Sequence, residues 1–235
     1  MKLGIMQPYF FPYIGYFQLI AACDKFIFFN TPQFERRGWM NRNRIINIAE
    51  GSTYISVPVV KVPQKTAICD MRINNSTDWR QKLLAQLEVY KKRAPYYREA
   101  MEIVRSVIDR ETDSLVEMSV ASVVESCKYM GLDLDWDIFS QMGLNVPSDC
   151  EPDEWALEIC RTLGADEYVN APGGEAFFDK SKYRQAGIKL EFLQPELLPY
   201  TQRIGRFEPG LSIIDVMMYN SPEEIRKMIK AYSLK

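Results

Sequence analysis

The chain has 235 residues, 47% of them hydrophobic and 26% charged, which is the composition of a globular protein long enough to bury a substantial core. Its formal net charge of −2 removes the broad cationic face that general nucleic-acid binding requires, although arginines are concentrated between positions 36 and 44. Histidine is absent, and this excludes a Ser-His-Asp triad, a Cys-His pair, histidine metal ligands and a histidine general base together.

Residues 2–6 (KLGIM) form a short apolar run that predicts an opening strand. Pro8 and Pro12 bracket Tyr9-Phe10-Phe11, where the missing amide hydrogens and the restriction on each preceding residue predict an extended loop. From Tyr13, Ile14, Phe17, Ile20 and Ala21 recur at helical spacing and predict a helix to about Cys23. Residues 25–29 (KFIFF) then read as a buried strand closed by Asn30-Thr31-Pro32. Strand, loop, helix and strand make a βαβ unit. In an open parallel sheet, ligands bind at the carboxyl ends of the strands where strand order reverses, and the 7–12 and 30–37 loops lie at such ends.

The second of these loops begins a run that gathers Gln33, Glu35, Arg36, Arg37, Trp39, Asn41, Arg42, Asn43 and Arg44. Forked and bidentate hydrogen-bonding groups of this kind suit phosphate, carboxylate or sugar hydroxyls. The alternative is a solvated turn with surface arginines. Trp39 weighs for a site, because a large ring amid polar forks is commoner at a binding surface than on a bland one.

Residues 53–60 (TYISVPVV) and 68–73 (ICDMRI) read as strands extending the N-terminal sheet, with Pro58 favouring an edge or a bulge. Helices follow at 79–93, 96–109 and 114–130, the first capped by Thr77 or Asp78 and the last stopped by Gly131. A short strand within 132–139, a loop at 145–152, a helix over 153–163 and a strand over 167–170 come next. Gly173 and Gly174, just after Asn170, form either a plain turn or a place where backbone approaches a ligand closely.

A helix over 177–186 and a strand over 189–194 lead to a proline-punctuated stretch, 195–206, a candidate lid in which Tyr200, Gln202 and Arg203 are expected to be exposed to whatever lies beneath. Asp215, among apolar neighbours, is either a buried ion pair or cap, or a catalytic carboxylate. Ser221 and Pro222 open the final helix as N-cap and first helical residue. The expectation is one α/β domain with a βαβ core at 1–75, a helical region at 76–145 and a C-terminal α/β segment at 146–235 closing the site. The five cysteines are odd in number and lack a C-x-x-C pair, which fits reduced thiols. No long apolar run or signal-like start is visible, so a cytoplasmic chain without a membrane span is expected; nothing fixes an oligomeric state.

Three stretches, MQPYFFPYIGYFQLI, PQFERRGWMNRNRI and LSIIDVMMYN, resemble the signature blocks of the WbqC-like family of bacterial proteins, in the same order. The resemblance implies a role beside genes for O-antigen and related surface polysaccharides, with transfer of glycine onto an amino sugar as the activity. The N-terminal half also resembles the nucleotidyltransferase superfamily that includes pantothenate synthetase, through Tyr13-Ile14-Gly15-Tyr16 where that superfamily has His-x-Gly-His, and through Asn30-Thr31-Pro32-Gln33-Phe34. This second resemblance implies a Rossmann-like sheet. Two tyrosines in place of two histidines can donate hydrogen bonds but bring no positive charge, so Arg36, Arg37, Arg42 or Arg44 would have to supply it.

The leading expectation is a transferase that moves an acyl or aminoacyl group from an activated donor to the amine of a nucleotide-linked amino sugar. Asp215, Tyr16 and Asn43 are its expected catalytic residues, with Asp215 accepting the amine proton and Tyr16 and Asn43 orienting the reactants. Gln7, Tyr9, Tyr13, Gly15, Asn30, Gln33, Arg37, Trp39, Arg42, Asn170, Gly173, Gly174, Gln202 and Ser212 are expected to contact substrate. No metal or obligatory cofactor is implied. Two alternatives stand beside it: activation of a carboxylate with ATP and Mg²⁺, and a sugar-nucleotide-binding protein without turnover.

Overall fold

The computed structural model describes residues 1–49, 51–147, 150–203 and 206–235. Parts of the expected 145–152 loop and 195–206 lid lie outside the described residues. The opening apolar run is strand β1 (Lys2–Met6), followed by α1 (Ile14–Ala21) and β2 (Lys25–Phe28). β1 and β2 pair in parallel, with Gly4 opposite Phe26 and Met6 opposite Phe28. A long crossover then carries β3 (Arg42–Asn47), β4 (Gly51–Ser56), α2 (Trp79–Leu87), α3 (Tyr97–Ile108) and α4 (Leu115–Met130) before β5 (Trp136–Ile138) joins the far side of β2. The chain continues through α5 (Trp155–Leu163), β6 (Glu167–Asn170), α6 (Lys180–Gln185), β7 (Lys189–Pro195), α7 (Ile213–Tyr219), α8 (Pro222–Ile229) and β8 (Tyr232–Leu234).

The main sheet has the order β5-β2-β1-β6-β7-β8, parallel except for β8, which runs antiparallel to β7. With the β3–β4 hairpin set aside, this is the doubly wound order 3-2-1-4-5-6, whose reversal falls between β1 and β6. Strand alternation splits the core. Phe26, Phe28 and Val169 face a larger cluster with residues of α1, α3, α4, α7 and α8, while Leu3, Ile5, Ile27, Tyr168, Leu190 and Phe192 face a smaller one with α5 and α6. Helices on both faces explain why the central strands β1 and β2 are nearly all apolar.

The structure departs from expectation mainly inside the long crossover. Arg42, Asn43 and Arg44 lie on β3 and not in a loop, because Asn43, Ile45 and Ile46 are buried and the strand pairs antiparallel with β4. That hairpin is a separate sheet and does not extend the main one. The expected strand at 68–73 is a single 3-10 turn, Ile68–Asp70, flanked by isolated bridges. α7 was not foreseen as a helix, since all seven of its residues are buried and no amphipathic period shows.

β1 threads the centre of the sheet where Gly4 leaves little space: a methyl group there would lie 2.7 Å from Cys23 Sγ and 3.0 Å from the Phe26 ring. Gly4→Ala is therefore expected to destabilise the protein by about 1–3 kcal/mol through overpacking. Urea denaturation checks this, and a midpoint equal to that of the wild type would mean the β1–β2 contact yields freely.

Candidate functional site

The switch point between β1 and β6 is roofed by the Pro8–Pro12 loop, which the rest of the chain holds in a costly conformation. Phe11 has φ of 40°, in the left-handed region that a bulky side chain rarely adopts. Its amide donates to Ser122 Oγ at 2.8 Å, and its carbonyl accepts from Asn43 Nδ2 at 2.9 Å and from Ser212 Oγ at 2.7 Å. Asn43 Nδ2 also reaches the Phe10 carbonyl at 3.2 Å, the Phe10 amide donates to the Trp39 carbonyl, and the Ile213 amide donates to the Pro12 carbonyl. A single bridge joins Tyr13 to Ser212. The three motif blocks thus converge on one loop, through backbone contacts that use up the side chains of Asn43 and Ser212.

Tyr16 is fully buried, and its hydroxyl donates to the Gln7 carbonyl at 2.8 Å. Tyr9 and Tyr13 differ. Both are half-buried beside each other, and neither hydroxyl has a hydrogen-bond partner among the described residues. Burial pushes the Tyr9 phenol up to about 12, helped by Glu35 and Tyr13, and burial also raises Tyr13. Both therefore remain protonated donors at neutral pH. Tyr13 is the N-cap residue of α1, and its ring fills the space beside Gly15, where a Cβ would overlap it.

The strand ends lie along the same carboxyl edge of the sheet. The half-buried Gln7 follows β1, and its side-chain amide is free of partners among the described residues. Asn30, after β2, is buried and spends its amide on Ser140, donating to Oγ at 2.8 Å and accepting from the backbone at 3.1 Å. Asn170 ends β6; its Nδ2 bonds the Tyr168 hydroxyl, and its Oδ1 lies within 3.0 Å of where a Gly174 Cβ would sit. Gly174 lies in the turn Pro172–Gly174, so its lack of a side chain keeps that approach open; Gly173 is exposed and uncrowded.

The arginines lie at the rim. Arg42 donates to the carbonyls of Gly38 and Arg37 and lies 4.5 Å above the Tyr54 ring, which is 6.3 Å from the Trp39 ring. Tyr54, a residue that sequence reasoning passed over, thereby completes an exposed aromatic face with Trp39. The Arg37 and Gln33 side chains are exposed and unpartnered among the described residues, while the Gln33 backbone bridges to Ala67. Arg44 instead turns to Gly210 and Glu208.

Asp215 is fully buried. Tyr90 Oη donates to its Oδ2 at 2.6 Å, and Tyr200 Oη and Gln202 Nε2 donate to its Oδ1 at 2.5 and 3.0 Å. Desolvation pushes the carboxyl above its ordinary range, and these hydrogen bonds pull it back. Gln202 also clasps the chain through the Glu208 carbonyl and amide. Gln202 and Tyr200, expected to face whatever lies beneath a candidate lid, tie the described part of that stretch to Asp215. The carboxylate's partners are thus all internal, and its contacts are those of an anchor. The Ser-x-x-Asp spacing held the signal: Ser212 Oγ accepts from the Ile214 amide, a helix cap.

The family model of the WbqC-like protein family matches residues 7–227. The uncharacterized protein Rv1507c of Mycobacterium tuberculosis is 28% identical over 223 residues, covering 92% of each chain. No solved structure matches.

Asp215→Ala would strand two phenols and an amide in the interior and is expected to lower stability by about 3 kcal/mol. Asp215→Asn tests the charge. The folded pKa is the higher one, so the native state holds this proton more tightly than the unfolded chain does. Stability from this group is then fully present at acid pH and is lost as pH rises from the ordinary carboxyl range through the folded value. Denaturation from pH 3 to 7 should show that slope in the wild type and lose it in the asparagine variant.

Proposed function

The chain belongs to the WbqC-like protein family, and from that premise we propose that it is a transferase moving an acyl or aminoacyl group, such as glycine, to the amine of a nucleotide-linked amino sugar in O-antigen or related surface polysaccharide synthesis. The observation that carries this reading is the pair of unpartnered, protonated phenols of Tyr9 and Tyr13 at the carboxyl edge of a doubly wound sheet. Such groups suit a carbonyl oxygen that gains negative charge during acyl transfer.

In this mechanism the neutral amine attacks the donor carbonyl, a C–N bond forms, and the carbon–leaving-group bond breaks as the tetrahedral intermediate collapses. The amine proton leaves with the departing thiolate or phosphate, so no histidine base is needed. Tyr13, with Tyr9, donates to the oxyanion. Gln7, Asn170 and the open backbone at Gly174 orient the sugar and its amine, and much of the rate comes from that positioning. Arg37 reaches the diphosphate while Trp39 and Tyr54 cover a ring. Asn43, Ser212, Tyr16 and Asp215 serve as the frame. No helix among the described residues is long and apolar enough to cross a membrane.

A second reading, activation of a carboxylate by ATP, draws on Tyr13-Ile14-Gly15-Tyr16 at the start of α1 in a β1–α1–β2 unit. Among the described residues no cluster of three His, Cys, Asp or Glu side chains could hold a metal, so any Mg²⁺ would be held mainly by the nucleotide phosphates. Acid-dependent exchange of pyrophosphate into ATP separates this reading from direct transfer.

Incubation with nucleotide-linked amino sugars and acyl or glycyl thioesters, followed by mass spectrometry, tests the transfer. Tyr13→Phe should lower kcat by about 100-fold, the effect of losing one oxyanion donor, with little change in KM for the nucleotide sugar. Failure of every nucleotide sugar to bind or react would sink the reading.

A further inference from the structure

The β3–β4 hairpin carries an aromatic face apart from the Tyr9 and Tyr13 phenols. Tyr54 stands on β4 opposite Arg44, and the Trp39 ring lies 6.3 Å from the Tyr54 ring at a tilt of 31°. Trp39 is 37% and Tyr54 46% exposed, so both rings keep free surface. A flat ring slotted between two others needs them roughly 7 Å apart, twice the ~3.4 Å rise of stacked bases. This pair is too close for that, and it makes a platform onto which a ring is laid from outside. Arg42 lies 4.5 Å from the Tyr54 ring centre and donates to the Gly38 and Arg37 carbonyls, which holds the platform in place. The Trp39 carbonyl accepts from the Phe10 amide at 3.0 Å and ties this face to the left-handed loop.

Two features select the ring. Arg37, whose carbonyl accepts from Arg42, keeps its own guanidinium free among the described residues. A neutral glycan would leave that cation idle, whereas a base joined to phosphates engages ring and charge together. The second feature is how little the surroundings can read. Base identity is read by forked groups: Arg or Lys on guanine, Asn or Gln on adenine, Glu or Asp on cytosine. Around these rings such groups are spent on backbone: Arg42 on two carbonyls, Asn41 on the Val57 carbonyl at 2.9 Å, and Gln86 on the Tyr54 carbonyl at 3.0 Å. Ser56, exposed opposite Arg42, has a hydroxyl that both donates and accepts and so suits any base edge. The fork left free beside Arg42 is Arg37, and the diphosphate claims it.

We infer that the face made by Trp39 and Tyr54 is a base-blind platform, which holds the nucleobase of the nucleotide-linked sugar by stacking alone and accepts purine and pyrimidine nucleoside diphosphates alike. The inference rests on the nucleotide-sugar reading and adds that selectivity lies with the sugar-facing groups, Gln7, Asn170 and the Gly174 turn. A larger ring covers more of the platform, so purines bind somewhat tighter than pyrimidines, and every base loses the same contact when either aromatic ring is removed.

Calorimetric titration of the full chain with ADP, GDP, CDP, UDP and dTDP tests this. Dissociation constants within about tenfold of one another are expected. Trp39→Ala and Tyr54→Ala, both at exposed positions, should weaken all five by about tenfold or more, while inorganic pyrophosphate, which has no base, should bind the wild type and the variants equally. A preference of about a hundredfold for one base, or binding unchanged in both ring variants, overturns the inference; a guanine preference lost in Arg37→Ala would show that Arg37 reads the base. Binding of none of the five overturns it too. Base-blind binding without transfer to any nucleotide-linked amino sugar keeps the platform and removes the transfer reading, whereas transfer confined to one base keeps that reading and removes the platform.

Discussion

Everything at the carboxyl edge depends on the left-handed turn at Phe11. A phenylalanine at positive φ costs on the order of 1–3 kcal/mol, and such a conformation persists only where its surroundings over-determine it. Here Ser122 of α4, Asn43 of β3 and Ser212 at the start of α7 each bond the Phe11 backbone. These anchors come from positions far apart in the chain. Fixing one loop therefore fixes the hairpin, the long middle helix α4 and the start of α7 against the switch point at once.

This constraint explains why polar side chains in the motif blocks do different work. Asn43 and Ser212 spend their hydrogen bonds on backbone, Tyr16 spends its own on Gln7, and Asp215 gathers Tyr90, Tyr200 and Gln202. A buried carboxylate is tolerable because three donors face it; through Tyr200 and Gln202 it holds the returning chain onto α7. Tyr9 and Tyr13, in the first block, are phenols left over from that frame, with donors to spare.

Much of the sheet was legible from pattern. β1, β2, β6 and β7 are short apolar or alternating runs bounded by prolines and glycines, and Ser114, Ser221 and Gly131 mark helix ends as their chemistry predicts. β3 was hidden because RNRIIN reads as a polar loop until β4 pairs with it. α7 was hidden for the opposite reason, being buried on every side. The convergence of the three blocks could be read from their residue types. The division of labour within them could not, since a carboxylate saturated by internal donors and one poised for proton transfer have the same letter and the same apolar neighbours.

Charge is arranged to match a chemistry without histidine. Among the described arginines near the site, Arg42 is spent on carbonyls and on Tyr54, Arg44 turns to Glu208 and the Arg37 side chain is unpartnered, while the strand ends offer amides, phenols and backbone. A cation placed on that floor would need a counter-charge or would lose its hydration at a cost of several kcal/mol. Neutral donors avoid the penalty, and they strengthen as negative charge develops on an oxygen in front of them. In the proposed transfer an amine nucleophile also benefits, since a carboxylate beside it would favour the unreactive ammonium. In that proposed transfer, with an activated donor supplying the driving force, the frame needs only to hold carbonyl, phenol and amine in line. A rigid left-handed loop tied to three distant elements is suited to that task.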